Sequence, residues 1–380
     1  MIKRSTANLV RSRLKQFPAV ALLGARQSGK TTLAKRFDGH YFDLEDESQQ
    51  LKLDLEWPRI TEEKRLIILD EAQAWPQVFA RIRTAIDKSR KRMGRFLLLG
   101  SVSPALMRQV SESLAGRLGL VELTPFLADE LPKKRLDDIW LYGGFPDGGI
   151  LNHKQFPQWQ KDYLSLLTQR DLPNWGLPAK PQTTQRLLRM AAAVHGQIWN
   201  ASQIGQSLGL NYQTINSYLD YLTGCFLIRR LESYSVNVRK RLVKSPKVYW
   251  RDSGLLHSLL QVKSMDELFA QPRVGTSWEG FVIEQIIGKL QSMGTSFEPY
   301  FFRTSDQYEI DLLLDFGKTL WAIEMKLTSN PSASDVAAFV KTADLIKADK
   351  KILISRTNEH LENNDVISTN LQRAMEIIKF

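Results

Sequence analysis

The nine residues Gly24-Ala25-Arg26-Gln27-Ser28-Gly29-Lys30-Thr31-Thr32 constrain this chain more than any other stretch. They read G-x-x-x-x-G-K-T. An apolar run, Ala19-Val20-Ala21-Leu22-Leu23, precedes them, and a helical pattern from Thr31 to Phe37 follows. A buried strand, a glycine turn and a helix N-terminus in that order make a cradle for phosphate. Gly24 and Gly29 permit the tight turn and the close approach of backbone to the anion. The expected nucleotide contacts are therefore Gly24, Gln27, Ser28, Gly29, Lys30, Thr31 and Thr32. Lys30 is expected to reach the β- and γ-phosphates and Thr31 to ligate Mg²⁺, so the cofactors implied are ATP and Mg²⁺.

A second stretch supports the first. Arg65-Leu-Ile-Ile-Leu-Asp70-Glu71 carries four apolar residues into two acids, the pattern of a buried parallel strand with carboxylates at its C-terminal end. Open α/β sheets place ligands at that end. Asp70 is expected to hold the Mg²⁺ water shell and Glu71 to polarise the attacking water. A further buried strand ends at Gly100-Ser101, which puts Ser101 in reach of a γ-phosphate. Helical patterns alternate with these strands: Gln49 to Trp57, ended by Pro58, and Gln77 to Lys91. The fold class expected is α/β, a P-loop parallel sheet covered by helices.

The net charge of +11 suits a polyanionic partner. The single cysteine, Cys225, has no internal partner, which points to a reducing, cytoplasmic compartment and a buried packing role. No apolar run approaches the ~18 residues of a membrane span. The basic start, Met1-Ile-Lys-Arg, lacks the apolar segment of a secretory signal. Ile2, Leu9, Val10, Leu14 and Phe17 recur at helical spacing and predict a helix leading into the first strand.

With GARQSGKTTL, LIILDEAQ, the strand end GS and SLAGR in place, the chain resembles the AAA-type ATPases of bacteria and archaea that carry a C-terminal domain of unknown function. Tyr142-Gly-Gly-Phe-Pro-Asp147, Gln169-Arg-Asp-Leu-Pro and Lys244-Ser-Pro-Lys-Val-Tyr-Trp-Arg-Asp252-Ser-Gly-Leu fit the second part of that family. The resemblance implies an oligomerising, ring-forming ATPase in which Arg117 reaches a neighbour's γ-phosphate; an ordinary ion pair is the competing role. The expected segments are an ATPase domain (1–130), a helical connector (131–180), a winged helix-turn-helix (181–272) and a nuclease-like domain (273–380).

In the middle segment, Asn174-Trp-Gly lies among Pro173, Pro178 and Pro181 and reads as a linker. Two helices follow, one starting near Ser202 and closing at Gly209, the other from Asn211 to Leu222 with Ile215, Leu219 and Leu222 on its apolar stripe. A short turn between them resembles a helix-turn-helix. Two strands then frame a basic wing. Arg229, Arg230, Arg239, Lys240, Arg241 and Lys244 are the expected nucleic-acid contacts, DNA being the expected partner, although a solvated face or a protein contact fits the same charges.

The C-terminal segment places Asp311 inside an apolar strand, and Glu324 and Lys326 two apart on one strand face. With Glu279 on an upstream helix, the order resembles the PD-(D/E)xK nucleases, in which Asp311 and Glu324 would hold a divalent metal and Lys326 would sit by the scissile phosphate. Two structural alternatives compete. Thr276-x-x-Glu279 fits a capping box, and Asp311 with Lys326 fits a buried ion pair. The histidines show no zinc spacing. The function expected is an ATP-hydrolysing, DNA-binding protein with a nuclease-like domain. The alternatives are a DNA-remodelling motor that does not cut and a nucleotide-dependent protein-binding switch.

Overall fold

The computed structural model describes residues 2–100, 114–235, 245–306 and 308–378. The chain forms two compact units, residues 1–126 and residues 127–380, except that 224–226 and 292–294 group with the first.

The first unit is built on strands β1 (Ala19–Leu23), β2 (Gly39–Asp43), β3 (Leu66–Asp70), β4 (Phe96–Leu99) and β5 (Leu118–Glu122). All pair in parallel, in the order β2-β3-β4-β1-β5. The apolar runs AVALL, LIILD and FLLL are buried along their whole length, as strands covered on both faces require. Successive side chains of β1 alternate: Ala19, Ala21 and Leu23 enter one core with Ile60, Phe79 and Ile82. Val20 and Leu22 enter the other with Val10 and Leu33. Val10 belongs to the helix Thr6–Gln16, the one expected ahead of the first strand.

One helix runs further than its sequence predicts. Glu47–Glu62 continues through Pro58. Trp57 stacks on Phe96 at 6.0 Å and Ile60 is wholly buried, so packing on the sheet carries the helix past a proline that removes one internal hydrogen bond.

The second unit has a nine-stranded sheet, with strands β6 (Gln197–Ile198), β7 (Ile228–Ser233), β8 (Lys247–Trp250), β9 (Glu298–Arg303), β10 (Glu309–Asp315), β11 (Leu320–Met325), β12 (Lys350–Ser355), β13 (Leu361–Glu362) and β14 (Ile367–Asn370). Their order is β13-β14-β12-β11-β10-β9-β7-β8-β6. Parallel pairing of Glu232 with Tyr300 and Ser233 with Phe301 joins β7 to β9. One sheet therefore runs through segments 181–272 and 273–380. The helices Ala201–Leu208 and Tyr212–Gly224 follow each other across a turn at Gly209, and Ile215, Leu219 and Leu222 are buried as their spacing predicts. The first of them is capped by Asn200, whose side chain accepts from Gln203 N at 3.0 Å, and not by Ser202. The proline-rich stretch is no linker. Leu172 and Leu177 are buried, and the Tyr218 hydroxyl donates to Pro178 O at 3.1 Å. Among the described residues, no helix is long and apolar enough to cross a membrane.

Two sequence motifs that stand 108 residues apart close on each other. Asp252 accepts from Gly144 N at 2.8 Å and from Leu255 N at 2.9 Å, capping the helix Ser253–Leu259. Burial pushes its carboxyl up to about 6. Gly254 packs so tightly that a Cβ would lie 2.0 Å from Tyr142 O. Gly254→Ala must therefore displace backbone, and we expect a loss of about 1–3 kcal/mol or more in urea unfolding. An unchanged midpoint would show that this clasp is not tight in solution.

Candidate active site

The loop after β1 closes on itself. Gly24 has φ 152°, and a Cβ there would lie 2.2 Å from Leu123 O, so only glycine fits between the loop and the chain after β5. Lys30 opens the short helix Lys30–Ala34 and turns its ammonium into the loop, donating to Gly24 O and Ala25 O at 3.0 Å each. Burial pulls its pKa down to about 8, against the attraction of Glu71 and Asp70. Ser28 is fully buried, and its hydroxyl has no partner among the described residues. A buried cradle with a lysine and an orphaned hydroxyl fits a phosphate group.

The parallel order puts the C-terminal end of β3 beside this loop. Asp70 Oδ2 accepts from Thr31 Oγ1 at 2.6 Å and from the Tyr41 hydroxyl at 2.8 Å, while Oδ1 accepts from Glu71 N at 3.0 Å. Thr31 and Asp70 are hard oxygen donors in contact, the donor set that Mg²⁺ takes beside phosphates. Glu71 follows in the left-handed region at φ 47°, which turns it off the strand axis, and Gln73 donates to its carboxylate. Burial raises its pKa, which suits a group that takes a proton from water. Lys30, Thr31, Asp70 and Glu71 thus come together as their spacing predicts. Ser101 lies outside the described residues.

Arg117 is held elsewhere. Its guanidinium grips Asp87 through Nε at 2.9 Å and Nη2 at 2.8 and 3.1 Å, and Nη1 donates to Ala115 O at 3.0 Å. This is the ion-pair role. Reaching a neighbour's phosphate would require release of Asp87.

Sequence reasoning missed Arg4. This buried arginine donates to Ser28 O at 3.0 Å and Pro125 O at 3.2 Å and lies 4.8 Å over the Phe126 ring. It ties the loop to the chain after β5. The basic N-terminus gave no signal of this, because its partners are carbonyls distant in sequence.

The second constellation lines a groove of about 930 Å³ in the second unit. Asp311 sits where the β9–β10 register shifts, a bulge that re-aims a side chain. It lies one step beyond the Leu312–Ile323 pair, which brings it beside Glu324. Its carboxylate accepts from Met325 N at 2.9 Å. Burial, then Glu324 and Glu279, push Asp311 well above the usual carboxylate range. Burial raises Glu324 as well, against the pull of Lys326.

Both structural alternatives read from the sequence fail here. Glu279 lies inside the helix Val274–Met293 and caps nothing; it accepts from Lys247 Nζ at 3.1 Å and from the Tyr249 hydroxyl. Lys326 pairs with Glu324 at 2.9 Å, not with Asp311.

Lys247 of β8 is a buried cation that pairs with two acids of the groove. Its Nζ meets Glu279 at 3.1 Å and Glu309 at 2.6 Å. Burial pulls its pKa down, but Glu279, Asp311 and Glu309 together raise it above the usual lysine value. Among the described residues, no three His, Cys, Asp or Glu are grouped to hold a metal ion. Ammonium groups sit on Glu279, Glu309 and Glu324, while Asp311 accepts from Met325 N and the second oxygen of Glu324 has no hydrogen-bond partner among the described residues.

The described cations of β7 are less open than their charge suggests. Arg229 is half-buried against Glu284, with Nη2 to Oε2 at 3.0 Å, and Arg251 shares the same carboxylate at 3.0 Å. Two guanidiniums beat the burial penalty and hold Glu284 below its ordinary pKa. Arg230 pairs with Asp220 at 3.1 Å and Glu232 at 2.6 Å. Arg239, Lys240, Arg241 and Lys244 lie outside the described residues.

A family model described as an AAA domain matches residues 16–131. Two domains of unknown function, DUF8612 and DUF4143, match residues 133–266 and 274–373. The chain is 35% identical over 337 residues to the uncharacterized proteins Rv2008c of Mycobacterium tuberculosis and Mb2031c of Mycobacterium bovis. The match covers 87% of this chain and 75% of each relative. Among solved structures, the Walker-type ATPase PABY2304 of Pyrococcus abyssi aligns over 68% of this chain and 96% of its own, at 16% identity and a TM-score of 0.47. AMPPCP-bound DnaA from Aquifex aeolicus aligns over 58% of this chain and 90% of its own, at 14% identity and a TM-score of 0.29.

The lowered pKa of Lys30 makes a pH prediction. Near pH 8 the ammonium is partly deprotonated in the free protein, and a bound phosphate favours its charged form. ATP binding should then take up protons around pH 8, and affinity should fall as pH rises through and beyond 8. Calorimetry in buffers of different ionisation enthalpy reads the uptake. No uptake, with affinity flat from pH 7 to about 9, would contradict the placement of Lys30.

Proposed function

We propose a function from one premise: this chain belongs to the family of the two mycobacterial proteins, and its first unit is an ATPase of the AAA/P-loop type. In our reading it hydrolyses ATP and couples that to binding nucleic acid, DNA in particular, through a winged helix in the second unit. The observation that carries the hydrolytic part is the contact of Thr31 with Asp70 at 2.6 Å, next to Lys30 and Glu71. Mg²⁺ on that pair supplies charge neutralisation for the β- and γ-phosphates. The chain's own residues do the rest. Lys30 binds phosphate oxygen, Asp70 is kept in orientation by Thr31 and Tyr41, and Glu71 takes the proton of the attacking water.

The nucleic-acid part is supported by charge and shape. The chain carries +11 net, and residues 239–244 hold Arg239, Lys240, Arg241 and Lys244 with no acid between them. Beside them in the chain, the helix Tyr212–Gly224 exposes Gln213, Asn216 and Ser217, side chains that serve phosphate, sugar and base edges. Cleavage has no part in this reading, which rests on the ATPase unit and on charge, and Lys326 already pairs with Glu324. The groove is then a nuclease-like fold that holds its own counter-ions.

The test is the salt dependence of DNA affinity. Replacing Arg239, Lys240 and Arg241 together by Gln should weaken binding to duplex and branched DNA about equally. It should also flatten the slope of log affinity against log salt by about 2–3, close to one per lost phosphate contact. A slope unchanged in the triple variant would favour a protein partner instead.

A further inference from the structure

The helical part of the second unit contains a cleft of about 530 Å³. It lies among the helices Gln158–Leu166, Pro181–Ala193 and Ser253–Leu259 and shares no lining residue with the carboxylate groove. Its volume is in the range of small-molecule sites, roughly 300–1,000 Å³. Lys161, Arg189 and Lys263 stand on its rim, one from each wall, and its floor is apolar, with Leu188 and Val262 fully buried.

The charges here are unmatched. No Asp or Glu lines the cleft, and none of the three charged side chains forms an ion pair among the described residues, although the Glu267 carboxylate accepts from Lys263 N at 2.7 Å. Some cations of the same unit pair with acids, as in Lys133–Glu376, Arg135–Asp138, Lys289–Asp129 and Arg356–Asp137, and others, such as Lys154 and Lys318, form no ion pair among the described residues; what sets these three apart is that they line one cleft. Three like charges around one concave site repel each other and raise the local potential for an anion. The rim is also structured. Gln261 adopts φ 63°, a left-handed turn uncommon for a residue with a side chain, and Val262 N donates to His257 O at 2.9 Å. That turn sets Lys263 over the cleft.

A planar guanidinium with two ammonium groups suits the several oxygens and double charge of a phosphate monoester. We propose that this cleft binds a small organic phosphate. Its phosphate lies among Lys161, Arg189 and Lys263, and its apolar part rests on Leu188 and Val262. This site is independent of the nucleotide held by the loop 24–32.

The test uses the full chain carrying Lys30→Ala, so that the phosphate loop is disabled, titrated with AMP in a calorimeter. One saturable site is expected, weakened by added salt. The added changes Lys161→Gln, Arg189→Gln and Lys263→Gln should together lower the affinity by about tenfold or more. All three positions are exposed, so the melting temperature should not move. In the chain with Lys30 intact, the same three changes should leave ATP turnover unaltered. The proposal is overturned if AMP, glycerol phosphate and inorganic phosphate all fail to bind. It is equally overturned if the Gln variant binds them as well as its parent does.

Discussion

The carboxylate of Asp70 is the constraint around which the first unit is arranged. It is buried at the end of β3, where an unsatisfied charge would be costly. Its oxygens accept from Thr31, from Tyr41 and from the amide of Glu71. Those donors come from the helix after β1, from β2 and from the residue after β3. The parallel order β2-β3-β4-β1 and its register bring them to one place. Tyr41 pays the return cost in its own titration: burial and the adjacent Asp70 raise its hydroxyl above the usual range. The positions of Thr31, Tyr41 and Glu71 are thus tied together by one buried acid and the strands that feed it.

The second unit solves a similar problem with two internal counter-ion sets. Glu284 draws Arg229 and Arg251 inward, and Lys247 is drawn to Glu279 and Glu309. Both sets link the β7–β8 hairpin to the helix Val274–Met293, so largely buried charge fastens these strands to that helix. Removing one member of such a set leaves the others uncompensated, at about 3–5 kcal/mol. The strand pairing of β7 with β9 follows the same join. Arg229, which suggests an open nucleic-acid surface when read in sequence, is instead half-buried and held by Glu284.

Much of this was legible in the residues. The apolar runs before Gly24 and Asp70 announced buried parallel strands, and glycine-lysine-threonine spacing announced the loop between strand and helix. Ile215, Leu219 and Leu222 announced the packed face of the second helix of the pair. What stayed hidden depends on partners far apart in sequence. Arg4 meets carbonyls more than 100 residues away, and Lys247 meets acids on a later helix and strand. A local rule also misled at Pro58, where burial of Ile60 outweighs the proline, and at Thr276-x-x-Glu279, where the helix has already begun at Val274. Local patterns record backbone preference and burial. They carry no record of which charge a folded chain will bring to which.

In the proposed function Glu71 activates water while Asp70, Thr31 and Lys30 hold the nucleotide. Equilibrium ATP affinity and steady-state turnover of Glu71→Gln, measured side by side with the unaltered chain, test this most directly. The account predicts affinity within about threefold of the parent and turnover lower by about 100-fold or more, because a proton acceptor is lost while phosphate and metal contacts remain. Turnover at the parent rate with affinity intact would contradict it.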